Sequence, residues 1–114
     1  ILTICKKIGL RTNKITWSSK LDHEGASNEL LVSLANAVAA DTYMFGGGAD
    51  GYHDEAVFAA AEIGLKRQNF QNREYPQHNV SSFQAGLSII DAVANIGWDG
   101  TIELLVASSE SPIT

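Results

Sequence analysis

A chain of 114 residues with 45% hydrophobic and 18% charged residues is one domain's worth, apolar enough to bury a core and too apolar for a disordered segment. Its net charge of −5, with eight Lys and Arg residues scattered apart from the pairs Lys6-Lys7 and Lys66-Arg67, excludes the basic stripe that a nucleic-acid partner needs. The single cysteine, Cys5, excludes an internal disulfide or thiolate metal cage and fits a reducing cytoplasm, and no apolar run approaches the ~20 residues of a bilayer span, so no membrane insertion is expected.

In chain order, ILTICKKIGL places Ile1, Ile4, Cys5 and Ile8 at helical spacing, with Gly9 where a left-handed C-cap residue belongs. No N-cap residue precedes this helix, so the chain is expected to be part of a longer protein. NKITWSS puts Ile15 and Trp17 on one face of a short strand. Gly25 and Ser27 mark the start of a helix whose Leu30, Leu31, Leu34 and Val38 form an apolar stripe ending near Asp41. TYMF reads as a fully buried strand, HDEAVFAAAEIG as a helix with Asp54 and Glu55 in its first turn and Gly64 at its end, and LKRQNF as a third strand.

Alternating strands and helices predict α/β architecture over residues 1–114: a single domain in two or three layers, with a small, mostly parallel sheet built from Rossmann-like βαβ units. QNREYPQHNVSSFQAG is sixteen polar, irregular residues, a length that points to a functional loop. In SIIDAVANIGWDG, Ser88 and Asp91 have capping-box spacing, and Gly97-Trp98 suggests a Schellman ending in which Trp98 folds onto Val93. TIELLVA extends the helical region and SSESPIT is a frayed tail.

Gly46, Gly48 and Gly51 fall on the spacing G-x-G-x-x-G between a strand and a helix, where a dinucleotide fingerprint would lie. The turn itself has no Lys, Arg, Ser or Thr, and Asp50, Asp54 and Glu55 would repel an anion. A carboxylate about 20 residues further on would hold a ribose hydroxyl, and Asn69, Gln71 and Asn72 stand there instead. No cofactor is therefore expected; a plain tight turn competes with a site for a sugar or amine ligand. Ser18 and Ser19, at the carboxyl end of the expected first strand, are candidate ligand donors. His23, His53 and His78 show no metal-binding spacing, so no metal is expected. His78, beside Glu74 in the long loop, has the chemistry of a general base. Tyr75 and Gln77, fixed around Pro76, suit a polar ligand edge, and Tyr75 suits packing under the loop equally well. Capping alone would explain Ser88 and Asp91.

Across YMFGGGADGYHDEAVF, NFQNREYPQ and FQAGLSIIDAVANIG the chain resembles the WbqC-like protein family. The matching positions are Tyr43, Gly46, Gly48, Ala49, Tyr52, Phe58, Phe70, Tyr75-Pro76-Gln77, Phe83, Leu87-Ser88, Asp91 and Asn95-Ile96-Gly97, with ITWSSKLD similar upstream. His53 and Ala94 depart from it, where an apolar residue and a large aromatic are usual. The resemblance implies the C-terminal part of a longer chain and association with O-antigen and other surface polysaccharides. It implies a cytoplasmic bacterial enzyme acting on a nucleotide-linked amino sugar in a transferase-type reaction. Tyr52, Tyr75, Gln77, Ser18, Ser19, Gly46 and Gly48 would bind the ligand, and His78 or Asp91 would handle a proton. The alternative is a non-catalytic assembly module that pairs with a missing N-terminal half or a second copy.

Overall fold

The computed structural model describes residues 1–109. In chain order the elements are α1 (Leu2–Lys7), α2 (Ser27–Ala37), β1 (Thr42–Phe45), α3 (Glu55–Ala60), β2 (Gly64–Arg67) and α4 (Ile89–Ser109), with short 3-10 turns at Thr12–Lys14, Ser18–Lys20 and Gly47–Ala49. The chain divides into two compact units, one of residues 15–69 and the other of residues 1–14 with the chain from Phe70 onward.

In the unit of residues 15–69, β1 and β2 form a two-stranded parallel sheet, with Thr42 opposite Gly64 and Phe45 opposite Arg67. The mixed helix and strand class is as expected. The strand expected around Ile15 and Trp17 is absent; turns at Thr12–Lys14 and Ser18–Lys20 flank these residues, which are themselves exposed. Two alternating apolar residues define a face, and neither residue here is buried against anything that would hold it extended. Nor is TYMF fully buried: Tyr43 and Phe45 are half-buried while Thr42 and Met44 face outward.

Both helices feed their strands through the same kind of exit. At the end of α2, Ala39 is left-handed (φ 53°), its N–H donates to Asn36 O and the N–H of Ala40 donates to Ala35 O. At the end of α3, Glu62 is left-handed (φ 57°), its N–H donates to Ala59 O and the N–H of Ile63 donates to Phe58 O. These are Schellman motifs, which pair the residue after the left-handed position with the residue five before it. The pairs are Ala40 with Ala35 and Ile63 with Phe58; Ala35, Phe58 and Ile63 form the buried core cluster, and Ala40 packs against it with Leu31, Val32, Tyr43, Ala61 and Leu65. Phe58 is 1% exposed. The helices therefore end earlier than expected: Val38 is a C-cap residue, and Gly64 opens β2. A left-handed Ala and Glu carry no glycine signal, so Asp41 and Gly64 were the nearest legible stops.

The other unit holds α1, which ends as predicted. Gly9 is left-handed (φ 79°), with Gly9 N–H donating to Lys6 O and Leu10 N–H to Cys5 O. The long α4 is broken at Gly97, where φ is 70° and ψ is −177°. That combination is essentially restricted to glycine. The expected Schellman ending at Gly97 is not formed, because the chain returns directly to helix at Trp98. Beyond the break, Thr101 and Ser108 are buried, and their hydroxyls donate to Gly97 O and Leu104 O. Ser108 and Ser109 thus belong to α4, and the remainder of the expected tail lies outside the described residues.

Two substitutions test these backbone assignments by urea unfolding. Ala39→Gly relieves a left-handed Cβ and is expected to stabilise by about 0.5–1 kcal/mol after the entropy of the freer unfolded chain is counted. Gly97→Ala is expected to destabilise by about 1–3 kcal/mol.

Candidate functional site

In the unit of residues 15–69, β1 delivers the chain into the glycine turn. Gly46 has ordinary extended angles (φ −87°, ψ 165°), and a Cβ added at Gly46 or Gly48 would meet no atom within 4 Å. Of the three glycines in the G-x-G-x-x-G spacing, Gly51 is the one whose backbone (φ 75°) asks for glycine. The turn is held from two sides. Arg67, at the end of β2, donates through Nε to Asp50 Oδ1 at 2.8 Å and through Nη2 to Asp50 Oδ2 at 2.7 Å. Asn28, in the first turn of α2, accepts the Asp54 N–H on its Oδ1 at 3.1 Å. Asp54 in turn caps α3, its Oδ1 accepting from the Ala56 N–H at 3.0 Å.

Between α2, β1 and this turn lies a cleft of about 490 Å³, lined by residues that include Leu30, Tyr43, Phe45, Gly46, Tyr52 and His53. Tyr52 is exposed. His53 packs among Phe45, Tyr43, Tyr52 and Phe58, with ring centroids 4.5–5.9 Å away. Its Nδ1 is the one buried side-chain nitrogen or oxygen without a hydrogen-bond partner among the described residues. Concave surfaces with aromatic walls and few fixed polar atoms are typical small-ligand sites. Ser18 lines a different groove, with Leu31, Leu34 and Met44, while Ser19 lies exposed in the Ser18–Lys20 turn.

In the other unit, the long loop is tied to the first turns of α4. The Tyr75 hydroxyl donates to Asp91 Oδ2 at 2.6 Å, and Gln77 Nε2 donates to the same oxygen at 3.2 Å and to Gln84 O at 3.0 Å. Gln77 Oε1 accepts from the Gln84 N–H at 2.8 Å, so one amide closes the loop on itself and on the helix. His78 joins α4 through its backbone N–H, which donates to Asn95 Oδ1 at 2.8 Å. Asn95 donates onward to Asp91 O. Tyr75 packs edge-on against Phe83 at 5.3 Å. Ser88 caps α4 as the spacing suggested, its Oγ accepting from the Ile90 N–H. Asp91 does not complete a capping box, because its carboxylate turns toward Tyr75 and Gln77. The Asp91 hydrogen bond raises the Tyr75 pKa, assisted by desolvation and by the carboxylate's charge and opposed by Gln77.

The structure thus gathers Tyr75, Gln77, Asp91 and the backbone of His78 in one unit, and places Ser18, Ser19, Gly46, Gly48 and Tyr52 in the other. Sequence inspection did not name His53, Arg67 or Asn28 as site residues. For Arg67, a cation at the carboxyl end of a parallel strand was an available signal. For His53, the signal was a titratable residue where an apolar one is usual. Asn28 offered none, since its partner lies 26 positions away.

Taken together, the chain is a mixed helix and strand protein with a small parallel sheet and an aromatic cleft beside its glycine turn. The model of the WbqC-like protein family matches residues 1–103, and the chain belongs to that family. No curated protein and no solved structure matches it. Among the described residues, no helix is long and apolar enough to cross a membrane.

The Tyr75 phenol is expected to ionise above the ordinary tyrosine value of 10.0. Since the folded value exceeds the unfolded one, the contribution to stability is fully present below the ordinary value and is lost as pH rises through the folded value. An ultraviolet phenolate titration, with Tyr75→Phe to assign the signal, should show Tyr75 ionising at lower pH in Asp91→Asn than in the wild type.

Proposed function

We propose that this chain serves bacterial surface polysaccharide (O-antigen) biosynthesis in the cytoplasm, as an enzyme acting on a nucleotide-linked amino sugar in a transferase-type reaction. The observation that carries this is the cleft beside the glycine turn, whose Tyr43, Phe45 and Tyr52 provide the apolar and aromatic surface on which sugar and base rings pack. The association with surface polysaccharides that the resemblance to this family implies is in keeping with that class of substrate. In the cleft's unit, Gly46, Gly48 and Tyr52 contact the ligand; Ser18 and Ser19 lie outside the cleft, and their proposed donor role belongs to the neighbouring groove that Ser18 lines. In the other unit, Tyr75 and Gln77 bind ligand and His78 or Asp91 handles a proton. The short Tyr75–Asp91 contact supports such a role for Asp91, whose carboxylate is held in place by the phenol's hydrogen bond. The parallel pair β1 and β2, with α3 between them in sequence, is compatible with a Rossmann-like arrangement completed by further strands.

A specific observation favours a second reading, a non-catalytic assembly module pairing with an N-terminal half or a second copy. The Gln77 amide is already engaged at both its oxygen and its nitrogen, as in a purely structural clip. An NMR titration with UDP- and dTDP-linked amino sugars separates the two. The enzyme reading expects saturable shifts confined to residues 46–52 and 75–78, with at least tenfold weaker binding in Tyr52→Ala, about 1.4 kcal/mol. A folded protein with no shifts in either segment would support the assembly module.

A further inference from the structure

The glycine turn carries no cation of its own, and three carboxylates surround it, which is why its sequence alone disfavours a phosphate. Folding changes that balance. The sheet register sets Arg67 opposite Phe45, immediately before Gly46, and the guanidinium lies against the turn: a Cβ built on Gly47 would stand 3.3 Å from Arg67 Nη2. Gly46 and Ala49, on either side of Gly47 and Gly48, both line the aromatic cleft. The guanidinium therefore lies against Gly47, a turn residue flanked in sequence by the cleft-lining Gly46 and Ala49.

Asp50 now occupies its two donors in a fork, at 2.8 and 2.7 Å. The side chains of Arg67 and Asp50 are 51% and 57% exposed, so this pair is open to water and is screened by salt. A phosphate presents the same two-oxygen edge as a carboxylate and takes the same bidentate geometry. We propose that Arg67 is the phosphate-binding residue of the cleft, exchanging Asp50 for the diphosphate of a nucleoside diphosphate or its sugar ester. Asp50 is then a built-in competitor that keeps the guanidinium oriented when the cleft holds no ligand. This rests on the sugar-nucleotide reading above and names the residue that would recognise the shared diphosphate.

Calorimetric titration of the chain with UDP, and with uridine as the phosphate-free control, tests the exchange. Arg67→Ala is expected to weaken UDP binding at least tenfold. Arg67→Lys keeps the charge but loses the fork, and is expected to remain several-fold weaker than the wild type. Asp50→Asn removes the competing charge and is expected to bind UDP several-fold tighter, with uridine binding unchanged in all three. The opposite signs are decisive, because a pair that only braces the turn would weaken binding in both Asp50→Asn and Arg67→Ala. That result, or wild-type affinity in Arg67→Ala, overturns the proposal. If UDP and the UDP- and dTDP-linked amino sugars all fail to bind the wild type, the sugar-nucleotide reading falls and this inference with it. If binding is lost in Tyr52→Ala but kept in Arg67→Ala, the reading survives and the role of Arg67 alone is refuted.

Discussion

The left-handed exits of α2 and α3 are the constraint on which the unit of residues 15–69 depends. Each motif folds the chain back so that the residue after the left-handed position contacts the residue five before it, and those contacts, Ala40 on Ala35 and Ile63 on Phe58, build the core. Each exit also aims the chain directly into a strand. Asp41 and Gly64 follow the two motifs, and the Gly64 N–H donates to Asp41 O at 2.8 Å, beginning the parallel pairing at its first residue. One local geometry, used twice, thus supplies the apolar contacts, the helix ends and the strand register. Left-handed backbone is unfavourable for Ala39 and Glu62, and it is maintained because burial of Phe58 and Ile63 outweighs a local strain of about 1–2 kcal/mol at each position.

The cleft follows from that register. With Phe45 opposite Arg67, the two strand ends bring an aromatic ring and a guanidinium to the same edge, and the chain must then turn to reach the Asp54 cap of α3. The turn is held by side chains from flanking elements, Asn28 from α2 and Arg67 from β2, whereas a Cβ added at Gly46, Gly48 or Gly51 would meet no atom within 4 Å. Its geometry is consequently borrowed from tertiary contacts. The enclosed Nδ1 of His53 is the one buried side-chain nitrogen or oxygen that this packing leaves without a hydrogen-bond partner among the described residues, and an unmade hydrogen bond in an aromatic surround carries a cost.

In the other unit the same economy of parts recurs with polar groups. Asp91 sits in the first turn of α4, where a carboxylate is favoured by the helix dipole, and it receives two donors from the long loop. Gln77 and Asn95 each bond in two directions, so the loop is ordered by a network instead of by secondary structure of its own.

The sequence by itself determined the mixed α and β class, the family, the helices around Leu30, Phe58 and Val93, the strand TYMF, the first half of the expected strand LKRQNF, the acidic start of α3, the cap residue Ser88 and the left-handed Gly9. All of these depend on interactions within a few residues or on periodic burial, which a linear pattern records. Tertiary structure decided the rest. It ended α2 and α3 at Ala37 and Ala60 through left-handed Ala39 and Glu62, where core contacts override residue preference, and left Ile15 and Trp17 without a strand. It turned Asp91 from a presumed cap partner into an acceptor for Tyr75, and it brought Arg67 back across 17 positions onto Asp50. Ion pairs and hydrogen bonds between distant residues need only the right groups at the right distance, and no spacing in the chain announces them.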